Sequence, residues 1–215
     1  MPKTHKFKLA ALGLATVATL LTAPVFAGVP EGRAALKDGD YETAMDEFRA
    51  VATKPGATLR QVAQHELGLM YLKGQGGPAD AERGAMWIER AAQTWYPPAM
   101  NTLGMLHRLG LGGVEKNPRT AMRLFMQASI SDAAAQYNLA VMPGQSGIRK
   151  DDIVFKHALI SLALINGLDE KINKTPEQYA AEMTPAQLQE SRALLKALQV
   201  PGNYYRALNG YLLMH

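Results

Sequence analysis

The stretch "LGLMYLKGQGG" (residues 67–77) returns as "LGMLHRLGLGG" (residues 103–113), displaced by 36 residues with no gap. A worn third copy, "LAVMPGQSGIR" (residues 139–149), follows after another 36. At that offset Ala63, Ala99 and Ala135 align, then Leu67, Leu103 and Leu139, then Gly68, Gly104 and Ala140. The loop glycines Gly74 and Gly110 meet Ser146, and Gly76 and Gly112 meet Ile148. Trp87, Arg123 and Leu159 share a further register. A period of this length is the mark of stacked supersecondary units.

Each unit reads as two helices. Ala63, Leu67 and Met70 form one apolar stripe at helical spacing, which predicts first helices over 60–72, 98–109 and 132–142. Second helices follow over 79–94, 117–129 and 151–166. Asn117-Pro118 shows how one begins: the asparagine oxygen accepts a free amide, and proline at the first helical position has no amide to satisfy. Glycine inside a helix costs about 1 kcal/mol relative to alanine, so Gly68 and Gly104 predict close approach of the paired helix. Gly74, Gly76, Gly110 and Gly112 fall where the first helix stops and the chain reverses, a place that favours positive φ. One hairpin cannot bury its apolar face alone; stacked copies can.

A shorter relative comes before these three. "GDYETAMDEFRAVA" (residues 39–52) has the second-helix pattern behind Asp40, with residues 32–37 as a stub of its first helix. About five residues around "KPGAT" (residues 54–58) read as an insertion. Beyond Gly167 the pattern changes. "TPEQ" (residues 175–178) and "TPAQ" (residues 184–187) are both capping boxes with proline at the first helical position. The second opens an amphipathic helix over 185–198, and a last helix covers 203–213.

The first 27 residues read as a cleavable signal peptide. Lys3, Lys6 and Lys8 precede an apolar run over 9–21, and Val25 and Ala27 set up a cut after Ala27. The alternative, an uncleaved anchor, needs about 20 apolar residues, and Thr16, Thr19, Thr22 and Pro24 interrupt the run. Cleavage leaves a periplasmic or secreted chain with no stable membrane insertion. It also removes three of the four net positive charges. With no basic run left, nucleic-acid binding is excluded as a function class. The chain has no cysteine, which excludes disulfide staples, thiolate metal sites and a cysteine nucleophile.

The stretch "AQHELGLMYLKGQGGPADAERGAMWIERAA" (residues 63–92) carries the marks "A…LG.MY..G.G" and "D…A..W…AA". On these residues, and on the weaker copy over 99–128 with Arg123 in place of tryptophan, the chain resembles the Sel1-like repeats, a branch of the tetratricopeptide-type helical repeats. The third copy departs at Pro143, Ile148 and His157. The resemblance implies an all-α, right-handed α-solenoid over 28–167, in units 31–56, 60–95, 98–131 and 132–167, with a C-terminal helical cap over 168–215. It implies a protein-binding module with no cofactor. The first specific role it suggests is an immunity protein neutralising a toxin effector in the cell envelope. The alternative is an envelope scaffold or regulator of cell-wall or secretion assembly, with an envelope hydrolase behind both.

Catalytic and metal chemistry find little support in the residues. "HELGL" (residues 65–69) begins like a zinc-protease helix but has Leu69 where the second histidine belongs. The paired carboxylates Asp46/Glu47 and Asp151/Asp152 are adjacent on helices and point apart, and no nucleophile elbow or phosphate loop occurs. No catalytic or metal residue is assigned. Trp87, Phe48, Phe125 and Tyr71 fall on core registers. The candidate protein-binding residues are His65, Asn101 and Tyr137, which share a register opposite the apolar stripe and differ in all three copies. An exposed, unconstrained position explains that variation as well as binding does. Trp95 and Tyr96, in the turn between two units, complete the set, because aromatic residues at exposed turns are favoured contact residues.

Overall fold

The computed structural model describes residues 28–142, 152–169 and 171–214; the expected signal peptide and the third glycine turn lie outside them. The described residues form helices throughout, with no strand. Four hairpins follow in order: α1 (Val29–Asp38) with α2 (Tyr41–Thr53), α3 (Arg60–Lys73) with α4 (Ala81–Ala92), α5 (Pro97–Leu109) with α6 (Pro118–Ala128), and α7 (Ala133–Ala140) with α8 (Ile153–Ile165). The cap is α9 (Pro176–Ala180), α10 (Pro185–Leu198) and α11 (Tyr204–Met214). Each first helix packs on its own second helix, α3, α5 and α7 also pack on the second helix of the unit before, and α5 also touches α7. This is an all-α solenoid.

The helix ends are where the sequence chemistry places them. Asp40, Asp80, Asn117, Asp132 and Asp152 each accept an amide hydrogen bond three residues on. Thr175 and Thr184 both form complete capping boxes. Gly74 and Gly110 end α3 and α5 in the left-handed conformation.

Small residues set the helix spacing. A methyl group on Gly104 would meet the Phe125 ring at 2.7 Å, and one on Gly68 would meet Ile88 Cγ1 at 2.6 Å. Gly32 does the same in the first hairpin, 2.7 Å from the Phe48 ring. It stands 36 residues before Gly68, so the 36-residue register already begins at α1. The insertion near residue 54 therefore compensates for a first hairpin whose turn is five residues shorter. α1 and α2 are joined through Gly39 and Asp40 alone, where α3 and α4 are separated by 74–80.

The core runs the length of the stack. Phe48, Ile88, Phe125 and Phe155 are fully buried, one in each second helix. The cap closes the last hairpin: α10 packs on α8, while Tyr204, Leu208 and Tyr211 of α11 join the cluster of Met122, Phe125 and Phe155.

Candidate protein-binding groove

The register of His65, Asn101 and Tyr137 is not an exposed face. His65 and Tyr137 are each only 8 % exposed, and Asn101 is half-buried. His65 Nε2 lies 2.9 Å from Thr102 Oγ1, and its ring meets the Tyr96 ring edge-on at 5.7 Å. Asn138 Nδ2 donates to Asn101 Oδ1 at 2.9 Å. Tyr137 Oη accepts from the Asn173 amide at 3.4 Å. The expectation of exposure is overturned for a physical reason. A first helix inside a solenoid has neighbours on three sides, so the direction opposite its apolar stripe faces the next first helix. The two side-chain rungs both span 37 residues. The position varies because each copy has to match its partner in the next unit.

Burial changes the chemistry of His65. Desolvation, reinforced by the charges of Arg33 and Lys73 and opposed by Glu66, pushes its pKa down to about 4. The imidazole is therefore neutral at physiological pH and serves as a packed hydrogen-bonding ring.

Trp95 behaves differently. It is 68 % exposed, and its φ of 61° lies in the left-handed region, which costs a bulky L-residue about 1–2 kcal/mol. Leu59, one repeat earlier at the same register, shares both features, with a φ of 62° and an exposed side chain. Tyr96 is half-buried behind Trp95, against His65 and the Val62–Ala63 and Ala91–Ala99 clusters.

Trp95 lines a groove of about 770 Å³. Tyr205 and Asn209 of α11 line it as well. From α6 it is lined by Met122 and Met126 together with Arg119, Arg123 and Gln127. The Tyr205 hydroxyl donates to the Gln127 carbonyl at 3.3 Å, tying α11 to α6. A neighbouring pocket of about 250 Å³ shares Trp95, Arg123 and Gln127 with it and is also lined by Leu103 and Glu89. The position that opens the groove is Arg123. In the preceding unit its register holds Trp87, which is 9 % exposed and lies under the Arg90 guanidinium at 4.8 Å. Arg123 is exposed instead, so the surface that a tryptophan would fill stays open. The substitution of arginine for the repeat's tryptophan was visible in the sequence. That α11 folds back to complete the groove was not, because nothing in 203–213 specifies its docking partner.

A second cleft of about 760 Å³ lies between α2 and the α3–α4 turn. Its cations are already neutralised: Arg49 pairs with Asp46 at 2.7 Å, and Arg83 pairs with Asp80 at 3.4 Å and stacks over Tyr71. Elsewhere His157 Nδ1 lies 2.7 Å from Ser191 Oγ, which donates to the Val154 carbonyl at 3.0 Å. Ser191 is fully buried, so this pair joins α10 to α8 rather than presenting a nucleophile. Among the described residues no group of three histidines or carboxylates is placed to hold a metal ion. No helix among them is long and apolar enough to cross a membrane.

The Sel1 repeat family matches residues 61–93, 97–130 and 133–154. Among solved structures, a Sel1 repeat protein from Oxalobacter formigenes is similar at 25 % identity and a TM-score of 0.53, covering 86 % of this chain and 82 % of that one. The protein c5321, a protective antigen of uropathogenic Escherichia coli with an SLR fold, shares the fold at 19 % identity and a TM-score of 0.60. That likeness covers 86 % of this chain but 43 % of the longer protein. No curated protein matches the chain. Three matching repeats, the 36-residue register and the stacked hairpins agree: the chain carries Sel1 repeats over 61–154 and shares the fold of Sel1-repeat proteins.

Proposed function

We propose that the protein is a non-enzymatic binding module of the bacterial cell envelope, which holds a protein partner in the groove between Trp95 and Tyr205. Sel1-repeat proteins are in general protein–protein interaction modules, and the observation that carries the reading here is Trp95 itself. An exposed tryptophan held in a strained backbone conformation at an open groove has a cost in the free protein. Backbone strain of this kind concentrates at functional sites, and tryptophan is among the residues that most often anchor interfaces. Residues 1–27 support export, and with it the envelope as the place of action. The specific role we put first is neutralisation of a toxin effector; the identity of the partner separates that role from an envelope scaffold.

Partner capture from an envelope extract tests the reading, with the chain from Gly28 as bait in two forms, wild type and Trp95→Gly. Glycine adopts the left-handed conformation without penalty, so this variant should be as stable as wild type or more stable by about 1 kcal/mol. A protein retained by wild type and lost with Trp95→Gly is the expected result. Equal retention by both, or no retained protein at all, would contradict it.

A further inference from the structure

We propose that the partner enters the groove with an acidic segment, in which an apolar side chain seats between Trp95 and Tyr205 and two carboxylates face Arg119 and Arg123. The inference rests on the reading of the groove as the partner site and adds the chemistry of what occupies it.

Four observations carry it. Arg119 and Arg123 are one helical turn apart on α6, both exposed, and both line the same groove. Arg33, Arg49, Arg83 and Lys174 each form an ion pair with a described carboxylate. Among the described residues neither groove arginine has a carboxylate within that reach, so two guanidinium forks stand ready for bidentate pairing. Second, Met122 and Met126 alternate with these arginines along α6. Methionine is flexible and polarizable, which suits a surface that has to fit an inserted side chain. Third, no acid is among the residues that line the groove, and Glu89 lines only the neighbouring pocket, so the groove itself favours a negative segment. Fourth, the volume lies within the range of pockets that enclose a ligand of a few residues' size.

Other occupants fit less well. The chain's own first 27 residues carry Lys3, Lys6 and Lys8 and no acid, so like charges would oppose them at the arginines. A second copy of the chain would have to place its own carboxylates there. Nucleic acid gains its affinity from many phosphate contacts, and two arginines supply few.

The protein contains two tryptophans, and Trp87 is the buried one. Trp87→Phe therefore leaves Trp95 as the sole tryptophan, and excitation beyond the tyrosine band makes it a direct reporter on the groove. We would titrate this variant with three blocked peptides of one length, each with a central phenylalanine flanked by aspartates, serines or lysines. The acidic peptide should shift and saturate the emission, with the serine peptide at least about tenfold weaker and the lysine peptide weaker still. Added salt should weaken the acidic peptide most. The double charge reversal Arg119→Glu/Arg123→Glu, both on exposed positions, should invert the order in favour of the lysine peptide.

Equal affinity for the serine and acidic peptides would overturn the acidic assignment and leave the groove reading standing. If no peptide moved the emission while partner capture still depended on Trp95, the linear-segment proposal would fall alone. An emission shift on concentrating the protein without peptide would assign the groove to a second copy and overturn it too.

Discussion

Gly104 carries a side chain of one hydrogen because the Phe125 ring occupies the space where a methyl would go. Alanine there has to displace a fully buried ring, and overpacking of this kind costs about 1–3 kcal/mol. Gly39 offers the comparison. Its φ is 80° but nothing lies within 4 Å of a methyl placed on it, so Gly39→Ala should lose only about 1 kcal/mol of backbone preference. Urea midpoints should fall further for Gly104→Ala than for Gly39→Ala; the reverse order would mean that α5 and α6 are not held apart by that ring. His65 makes a second prediction at this scale. Its folded pKa of about 4 lies below the ordinary 6.5, so between those values the unfolded chain binds the extra proton. The stability contributed by neutral His65 is present above pH 6.5 and is lost as pH falls toward 4. The loss amounts to roughly 3 kcal/mol. Comparing melts at pH 7.5 and 4.5, His65→Gln should show a clearly smaller loss than wild type. Identical losses in the two proteins would refute the burial argument. For the same reason His65→Ala should destabilise the fold, where an exposed residue would have been neutral.

The glycine turns work between elements. A methyl on Gly112 would sit 2.6 Å from the Ala81 carbonyl oxygen, and one on Gly76 would sit 3.0 Å from that of Tyr41. Ala81 and Tyr41 are the first residues of α4 and α2, so each turn lies directly on the start of the preceding second helix. This answers why the same glycine-bearing helix end is written twice: it closes one hairpin and docks it on the one before. Gly112→Ala adds a clash to a φ of 67° and should cost more than Gly76→Ala, each exceeding Gly39→Ala. Equal melting temperatures for the three variants would mean the turns do not carry the inter-repeat contact. Helix positions, caps and these glycines were legible because each depends on local chemistry or on a register repeated along one chain. The rungs from His65 to Thr102 and from Asn138 to Asn101 were not. They depend on how far one first helix is rotated toward the next, which an apolar stripe on a single helix leaves open. The same limit applied to Trp95: the sequence placed it in a turn, but the positive φ and the lining that Tyr205 adds arise only from packing.

At the scale of the whole molecule the stack has two kinds of surface. The side that joins the first helices is occupied by its own rungs, while the second-helix side opens where Arg123 replaces the repeat's tryptophan and α11 returns to line the same groove as Trp95. The cap therefore has two roles. It seals the last core cluster through Tyr204, Leu208 and Tyr211, and it supplies part of the groove. Hydrogen–deuterium exchange of the protein with and without its captured partner tests the central claim most directly. Protection on binding should concentrate in the turn 93–97, in α6 over 119–127 and at the start of α11 over 204–209, with the first helices unchanged. Protection confined to α3, α5 and α7, with α6 and α11 exchanging as in the free protein, would place the partner on the opposite side and contradict the account.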